Sequence, residues 1–394
     1  MQRLLIRNVR LTEAAASTDN STQLHDVRVE AGRIAAVRPA GQGGPADEAF
    51  DAAGRVLLPG FVDCHTHACF AGSRLDEWAR KLAGASYLEL MHAGGGIMAT
   101  VRATRAAGET ELAELLGQRL ARMLRHGATT IEVKSGYGLD TANEVKMLRA
   151  IARAAETFPG TVIATACIGH AIDPEFGHEE SVRRTVEETL PAVSEEFPGI
   201  ALDAYCETGA WTLEDCLALF DAGQAAGHPI RVHADQFNAL GMIEAAIERG
   251  YLSVDHLEAT DAAGLARLAA SEVFGVMLPA SGFHLDERYG NGRAFLDAGG
   301  RLALATNLNP GSAPCYSIPF VIQLAVRKLG LTPAEAIRAA TFAGAELLGL
   351  DDRGRIAPGL RADLVLLDGS DPRALAWECG GNPVARVMAG GRWQ

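Results

Sequence analysis

The sequence predicts an α/β fold: a (β/α)8 barrel of the TIM type with a small β-sandwich module formed by its N- and C-terminal segments. Three observations predict it. Through the middle of the chain, apolar runs of strand length alternate eight times with amphipathic runs of helix length. Both ends are instead rich in short β patterns and turns. No glycine-rich phosphate turn follows an early strand, as a doubly wound sheet would need; Gly94-Gly95-Gly96 has no strand before it. The predicted boundaries are 1–57 and 348–394 for the module and 58–347 for the barrel, within 394 residues, a size that suits one barrel plus an accessory unit.

The first arm alternates apolar and polar residues in Val27-Arg28-Val29-Glu30, continues through Gly32 to Val37, and loops at Gly41 to Pro45. The barrel strands are expected near 57–63, 129–134, 161–168, 201–206, 229–233, 252–255, 274–278 and 302–306. Helical patterns fill the gaps, among them Glu109 to Arg125, Thr141 to Glu156, Glu179 to Glu196 and Leu213 to Ala226. The closing arm has strand patterns at Gly354 to Gly359, Ala362 to Asp368 and Val384 to Gly391, and the two arms are expected to pair into one small sheet module.

Composition excludes several classes of function. A net charge of −13 argues against a nucleic-acid partner held on a basic surface. Seven cysteines, odd in number and without C-x-x-C pairs, fit neither a disulfide framework nor a zinc ribbon. The N-terminus lacks an apolar signal core, and no run of ~18 apolar residues would span a membrane, so a cytoplasmic location is expected.

The chemistry-bearing residues collect at the C-terminal ends of the predicted strands, where barrel enzymes place their active sites. Strand 1 ends in Asp63-Cys64-His65-Thr66-His67, strand 3 leads to His170, strand 5 ends in His233 and strand 6 in His256, while strand 8 leads to Asn307 and Asn309. Alternate residues of a strand face the same side, so His65 and His67 can both reach the barrel mouth. An isolated histidine is usually a satisfied structural group, the reading taken for His25, His92, His126, His178, His228 and His284. The His-x-His pair followed by His233 points instead to a Zn or Fe site with one position open to water. His256 is assigned to polarising the reacting group or orienting the water. Arg74 could supply positive charge for an anionic substrate tail. Tyr137, between glycines in Ser135-Gly136-Tyr137-Gly138, is expected at an exposed loop tip. Lys134 raises the weaker prospect of a carbamylated ligand, and Glu207 reads as a loop acid or helix cap. Asn307 stands where a hydrolytic metal site would want a carboxylate.

Taken together these motifs closely resemble the imidazolonepropionase family of the metal-dependent amidohydrolase superfamily, nearly end to end. Pro59 to His67 and Gly359 to Leu364 are superfamily features. Phe70-Ala71-Gly72-Ser73-Arg74, Tyr87 to Met91 with Ala93 to Ile97, Glu132 to Leu139, and Asn309-Pro310-Gly311-Ser312 are particular to the family. The resemblance implies hydrolysis of 4-imidazolone-5-propanoate to N-formimino-L-glutamate in histidine breakdown. It implies one Zn or Fe ion per chain, held by His65, His67, His233 and position 307. Arg74, Tyr87, Tyr137, His170, Gln236, Asn309, Gly311 and Ser312 are implied as substrate contacts, with His256 and position 307 as catalytic groups and a homodimer as the assembly. The family pattern reads Ala-Thr-Asp where this chain has Asn307, and an amide has no basicity at neutral pH. Either the proton transfer is weakened, or a group such as His256 takes it over. Two other readings share the superfamily features: a deaminase of another ring, and a non-catalytic binding relative.

Overall fold

The apolar run expected as one strand over 57–63 divides at Gly60 in the computed structural model, which describes residues 3–12, 23–84 and 95–394. Leu57–Pro59 pairs antiparallel with Leu364–Leu367 in a terminal sheet, whereas Phe61–Asp63 pairs parallel with Ala128–Lys134 in the barrel. The crossing admits no side chain: a Cβ at residue 60 would lie 2.1 Å from Thr129 Oγ1. The Gly60 N–H is satisfied by the Asp363 carbonyl at 2.7 Å. A run that is apolar on both faces fits two buried sheets equally well, which is why the sequence reads as one element.

From Phe61 onward, eight strands pair in parallel and in sequence order: Phe61–Asp63, Ala128–Lys134, Thr161–Gly169, Ala201–Cys206, Arg231–Ala234, Ser253–His256, Phe274–Met277 and Leu302–Leu304. The last of these stops short of the expected 302–306. Thr306 leaves the ladder because Asp63 captures both its N–H, at 3.0 Å, and its hydroxyl, at 2.6 Å. The seam between last and first strands closes at the mouth, where the Asn307 N–H donates to the His65 carbonyl at 3.0 Å and the His67 N–H to the Leu308 carbonyl at 2.9 Å. Thus the barrel closes through residues that the sequence marks as candidates for its site.

Outer helices run over Glu109–Arg125, Thr141–Thr157 and Leu213–Ala225, the second capped by Asp140 and the third by a Thr212–Asp215 capping box. The expected helix 179–196 is broken into His178–Arg184, a wider five-residue turn over Thr185–Thr189, and Leu190–Glu196. Pro191 follows that turn and lacks the N–H that a regular helix would use, so the backbone widens there.

The arms form two four-stranded sheets, in keeping with the expected small sandwich module. One comprises Arg3–Arg10, Leu24–Glu30, Arg33–Pro39 and Glu48–Asp51; the other comprises Leu57–Pro59, Leu364–Leu367, Val384–Ala389 and Arg392–Trp393. They join through the Ile34 N–H to the Leu360 carbonyl (2.8 Å), the Ala362 N–H to the Gly32 carbonyl (2.9 Å), and the edge of Phe50 against Trp393. Both share one apolar core with the barrel. Among the described residues, no helix is long and apolar enough to cross a membrane.

Candidate metal centre

Thr66 fixes the His-x-His turn. Its N–H donates to Glu132 Oε2 at 3.0 Å and its hydroxyl to the Glu132 carbonyl at 2.6 Å, so both flanking imidazoles face the barrel interior. His233, at the tip of Arg231–Ala234, meets them: one ring nitrogen from each of His65, His67 and His233 lies within 4.8 Å of the others. Their orientation is set from behind. His65 Nδ1 contacts Asp255 Oδ2 at 2.5 Å, and His233 Nδ1 contacts Asp203 Oδ1 at 2.9 Å, which directs each Nε2 to the centre. His65 Nε2 is buried and finds no hydrogen-bond partner among the described residues. Burial drives the His65 and His67 imidazoles well below their ordinary pKa, and lowers that of His233, which favours the neutral form that a metal ion would need. His67 Nε2 stands 3.0 Å from His233 Nε2. A tetrahedral ion with bonds of ~2.0–2.1 Å would hold two such nitrogens about 3.4 Å apart. Three buried imidazole nitrogens, one of them without a partner among the described residues and the other two only 3.0 Å from each other, fit a divalent cation.

Asn307 adopts a left-handed backbone, φ 53°, which asparagine tolerates better than most residues. Its Nδ2 donates to Ser281 Oγ at 2.7 Å, and its buried Oδ1 has no partner among the described residues. It therefore offers an uncharged oxygen and no place for a proton. His256, φ 96°, lies outside the three-nitrogen group but beside it, its ring 5.6 Å from that of His233 and 6.1 Å from that of His65. Glu258 Oε1, 3.1 Å from His256 Nδ1, orients it.

The other expected site residues fall around this centre. His170 stacks on His67 with centroids 4.7 Å apart, holds the Gly136 carbonyl through Nδ1 at 2.8 Å, and is pushed down to about 4 by burial. Tyr137 is buried, not an exposed tip: the loop folds inward and packs the ring against Phe70, His67 and His170. Arg74 reaches Gly311, where a Cβ would lie 3.2 Å from its Nη1, and is gripped by Glu77, with Nε to Oε2 at 2.7 Å. Asn309 is occupied with its own loop, accepting from the Gly311 N–H at 2.9 Å and the Ser312 N–H at 2.7 Å while donating to the Asn307 carbonyl at 2.8 Å. Gln236 Oε1 accepts from the Tyr205 hydroxyl at 2.7 Å. Tyr87 lies outside the described residues.

Two lesser expectations resolve differently. Lys134 is no carbamylated ligand; its ammonium is ion-paired with Glu132 and Asp203, each at 2.7 Å. Glu207 ties a loop, accepting from the Phe237 and Asn238 N–H groups and from Asn238 Nδ2. Residues given no role from sequence are also prominent: Asp203 and Asp255 behind the imidazoles, Glu132 and Arg231 between them, and Ser281 under Asn307. Their signal was a charge inside a buried-strand pattern, as in Leu202-Asp203-Ala204, which has to be compensated by another charge from elsewhere in the chain.

With this geometry in view, comparison with known proteins is informative. The model of the amidohydrolase family matches residues 56–393. The imidazolonepropionase of Herpetosiphon aurantiacus is 44% identical over 379 residues, covering 93% of this chain and 89% of the relative. That of Deinococcus radiodurans is 45% identical over 363 residues, covering 92% and 90%. Among solved structures, 5-methylcytosine deaminase from Klebsiella pneumoniae superposes with a TM-score of 0.77 at 17% identity, covering 99% of this chain and 96% of that one. N-isopropylammelide isopropylaminohydrolase from Burkholderia multivorans gives a TM-score of 0.71 at 19% identity, covering 100% and 98%. At such low identity these two speak for the fold alone.

Proposed function

Because the chain belongs to the amidohydrolase family, within its imidazolonepropionases, we propose that it opens the ring of 4-imidazolone-5-propanoate. Hydrolysis of the ring amide C–N bond gives N-formimino-L-glutamate, a step of histidine degradation. The observation that carries this reading is the convergence of three buried imidazole nitrogens from two barrel strands. His65, His67 and His233 would hold one Zn or Fe ion per chain, with Asn307 Oδ1 as an uncharged fourth donor. When bound, that ion acidifies a water molecule and polarises the ring carbonyl.

The chain's own residues do the rest. His256 stands beside the cluster, where a ring N–H can donate to the carbonyl oxygen as it gains negative charge. Arg74 and Tyr137 take the propanoate carboxylate, supplying the local positive charge that an anionic substrate needs on a chain of net charge −13. Glu77 already occupies the Arg74 guanidinium, so substrate must share or displace that carboxylate. His170, Gln236, Asn309, Gly311 and Ser312 shape the remainder of the pocket, with Tyr87 an expectation of the resemblance. Asn307 cannot receive the proton that the attacking water loses, so another group takes it. His256 could do so through the ring nitrogen that does not face Glu258, donate to the carbonyl oxygen once protonated, and pass the proton to the leaving ring nitrogen. A cytoplasmic homodimer accompanies the reading as the family expectation; the seven free thiols support a reducing compartment.

Incubating the Zn- or Fe-loaded chain with 4-imidazolone-5-propanoate and, separately, with 5-methylcytosine tests the assignment. Loss of imidazolone absorbance with no change in the pyrimidine is expected. Turnover of the pyrimidine alone would overturn it.

A further inference from the structure

His65 and His233 are joined by a second route, running beneath the site rather than across it. From His65 the contacts pass to Asp255 (2.5 Å), Arg231 (2.7 Å), Glu132 (3.3 Å), Lys134 (2.7 Å), Asp203 (2.7 Å) and His233 (2.9 Å). All five intervening side chains are buried, three acids against two bases. Each base has a distinct side of the assembly. Arg231 Nη2 binds the same Asp255 oxygen that faces His65, while its Nε is fixed by Ser253 and its Nη1 by the Cys64 carbonyl, one residue before His65. Lys134 holds Asp203 Oδ2 and so leaves Oδ1 to His233. Glu132 joins the two bases and also accepts from the Thr66 N–H between the paired histidines.

We propose that Lys134 and Arg231 are positioning residues for the metal centre: Lys134 locks the His233 imidazole, and Arg231 the His65 imidazole, with the proton on Nδ1 and the Nε2 lone pair toward the ion. The inference rests on the reading that His65, His67 and His233 hold that ion. The reasoning is geometric. A carboxylate orients an imidazole only if it is itself held, and in a packed barrel interior neighbouring side chains are what hold it. Asp203 is anchored through Oδ2 by Lys134. Asp255 is anchored through Oδ2 by Arg231 and through Oδ1 by the Ser253 hydroxyl at 2.5 Å, which Arg231 Nε holds in turn. Each cation is bound on its other side by Glu132. Removing the cation frees the carboxylate to rotate away from Nδ1, and the imidazole loses its preferred tautomer.

The test uses two paired substitutions that each remove one positive and one negative charge, so that the net charge of the buried assembly is unchanged. Lys134→Met with Glu132→Gln should release His233 from the Nδ1–H form and leave His65 in it; Arg231→Met with Glu132→Gln should do the reverse. Imidazole nitrogen NMR on the metal-free chain reads the tautomers. Competition between the chain and a chelator for Zn2+ should show affinity reduced about 10–100-fold in both pairs, the usual cost of losing an outer partner of a ligand. Identical changes at both imidazoles in each pair, or unchanged tautomers with unchanged Zn2+ affinity, would overturn the proposal. So would an unsubstituted chain in which either imidazole carries its proton on Nε2, a result independent of how the variants fold. An unsubstituted chain that binds no Zn2+ would overturn the metal reading instead, and the tautomers would still decide this one.

Discussion

At position 307 a single atom separates an acceptor of protons from a bystander. The Asn307 side chain is buried, fixed by Ser281 through Nδ2, and turns an unpartnered oxygen inward. Asn307→Asp restores a base without altering size, so kcat should rise by about 10²–10⁴-fold, the usual worth of general-base assistance, with KM nearly constant. Steady-state kinetics at saturating metal check this, and an unchanged kcat would assign the proton transfer elsewhere. Arg74→Ala should act in the opposite sense, raising KM by roughly 10–100-fold for loss of a charge-assisted contact worth ~1.5–3 kcal/mol. A constant KM would remove Arg74 from the carboxylate. At this scale the sequence was readable where residue types are rare: two histidines one residue apart, or an amide in place of an acid. It was not readable for Asp203, Asp255, Glu132 and Arg231, because what they touch is decided by strands distant in the chain.

The elements were legible where one period dominates. Helices Glu109–Arg125 and Leu213–Ala225 stand within a residue of their amphipathic patterns, since an apolar stripe sets the span of each and the Thr212–Asp215 capping box starts the second. Elements went astray where a tertiary contact overrides the pattern. Thr306 is pulled from its strand by Asp63, Pro191 follows a widened turn, and Gly60 hands one apolar run to two sheets. Tyr137 is the same lesson in a loop: flanking glycines signalled a turn but not the aromatic pocket that receives it. The Gly60 crossing has a measurable stiffness. Gly60→Ala should cost about 1–3 kcal/mol through overpacking against Thr129, seen as a lower Tm. Adding Thr129→Ala, which removes the atom at 2.1 Å, should recover part of it. A Tm unmoved by Gly60→Ala would show that the passage is looser than its contacts indicate.

For the whole molecule, the alternation of strand and helix patterns was enough to give the barrel, and the two β-rich ends enough to give an appended module. The sandwich of two sheets was expected; which strands pair within each was not visible, because partners such as Leu57–Pro59 and Leu364–Leu367 lie some three hundred positions apart. Chemical reactivity follows from the packing. Cys64, Cys69, Cys167, Cys206 and Cys216 are buried and Cys315 partly so, while Cys379 is exposed. Burial also pushes the Cys69 and Cys315 thiols up to about 12, leaving little thiolate near neutrality. Native protein should therefore release a single rapid equivalent from an aromatic disulfide reagent, mapped to Cys379, and all seven in denaturant. Several rapid equivalents would mean that the core breathes on the reagent's timescale.

Leu57–Pro59 leads directly into the strand that bears His65 and His67, yet its partner in the terminal sheet is Leu364–Leu367. On a translating ribosome the early stretch emerges long before its mate exists. The His65–His67 turn is therefore tethered to a strand edge that stays unpaired until residues 364–367, some three hundred positions later, have followed. Closure of that edge is a long-range event in folding, however early the strand itself is made.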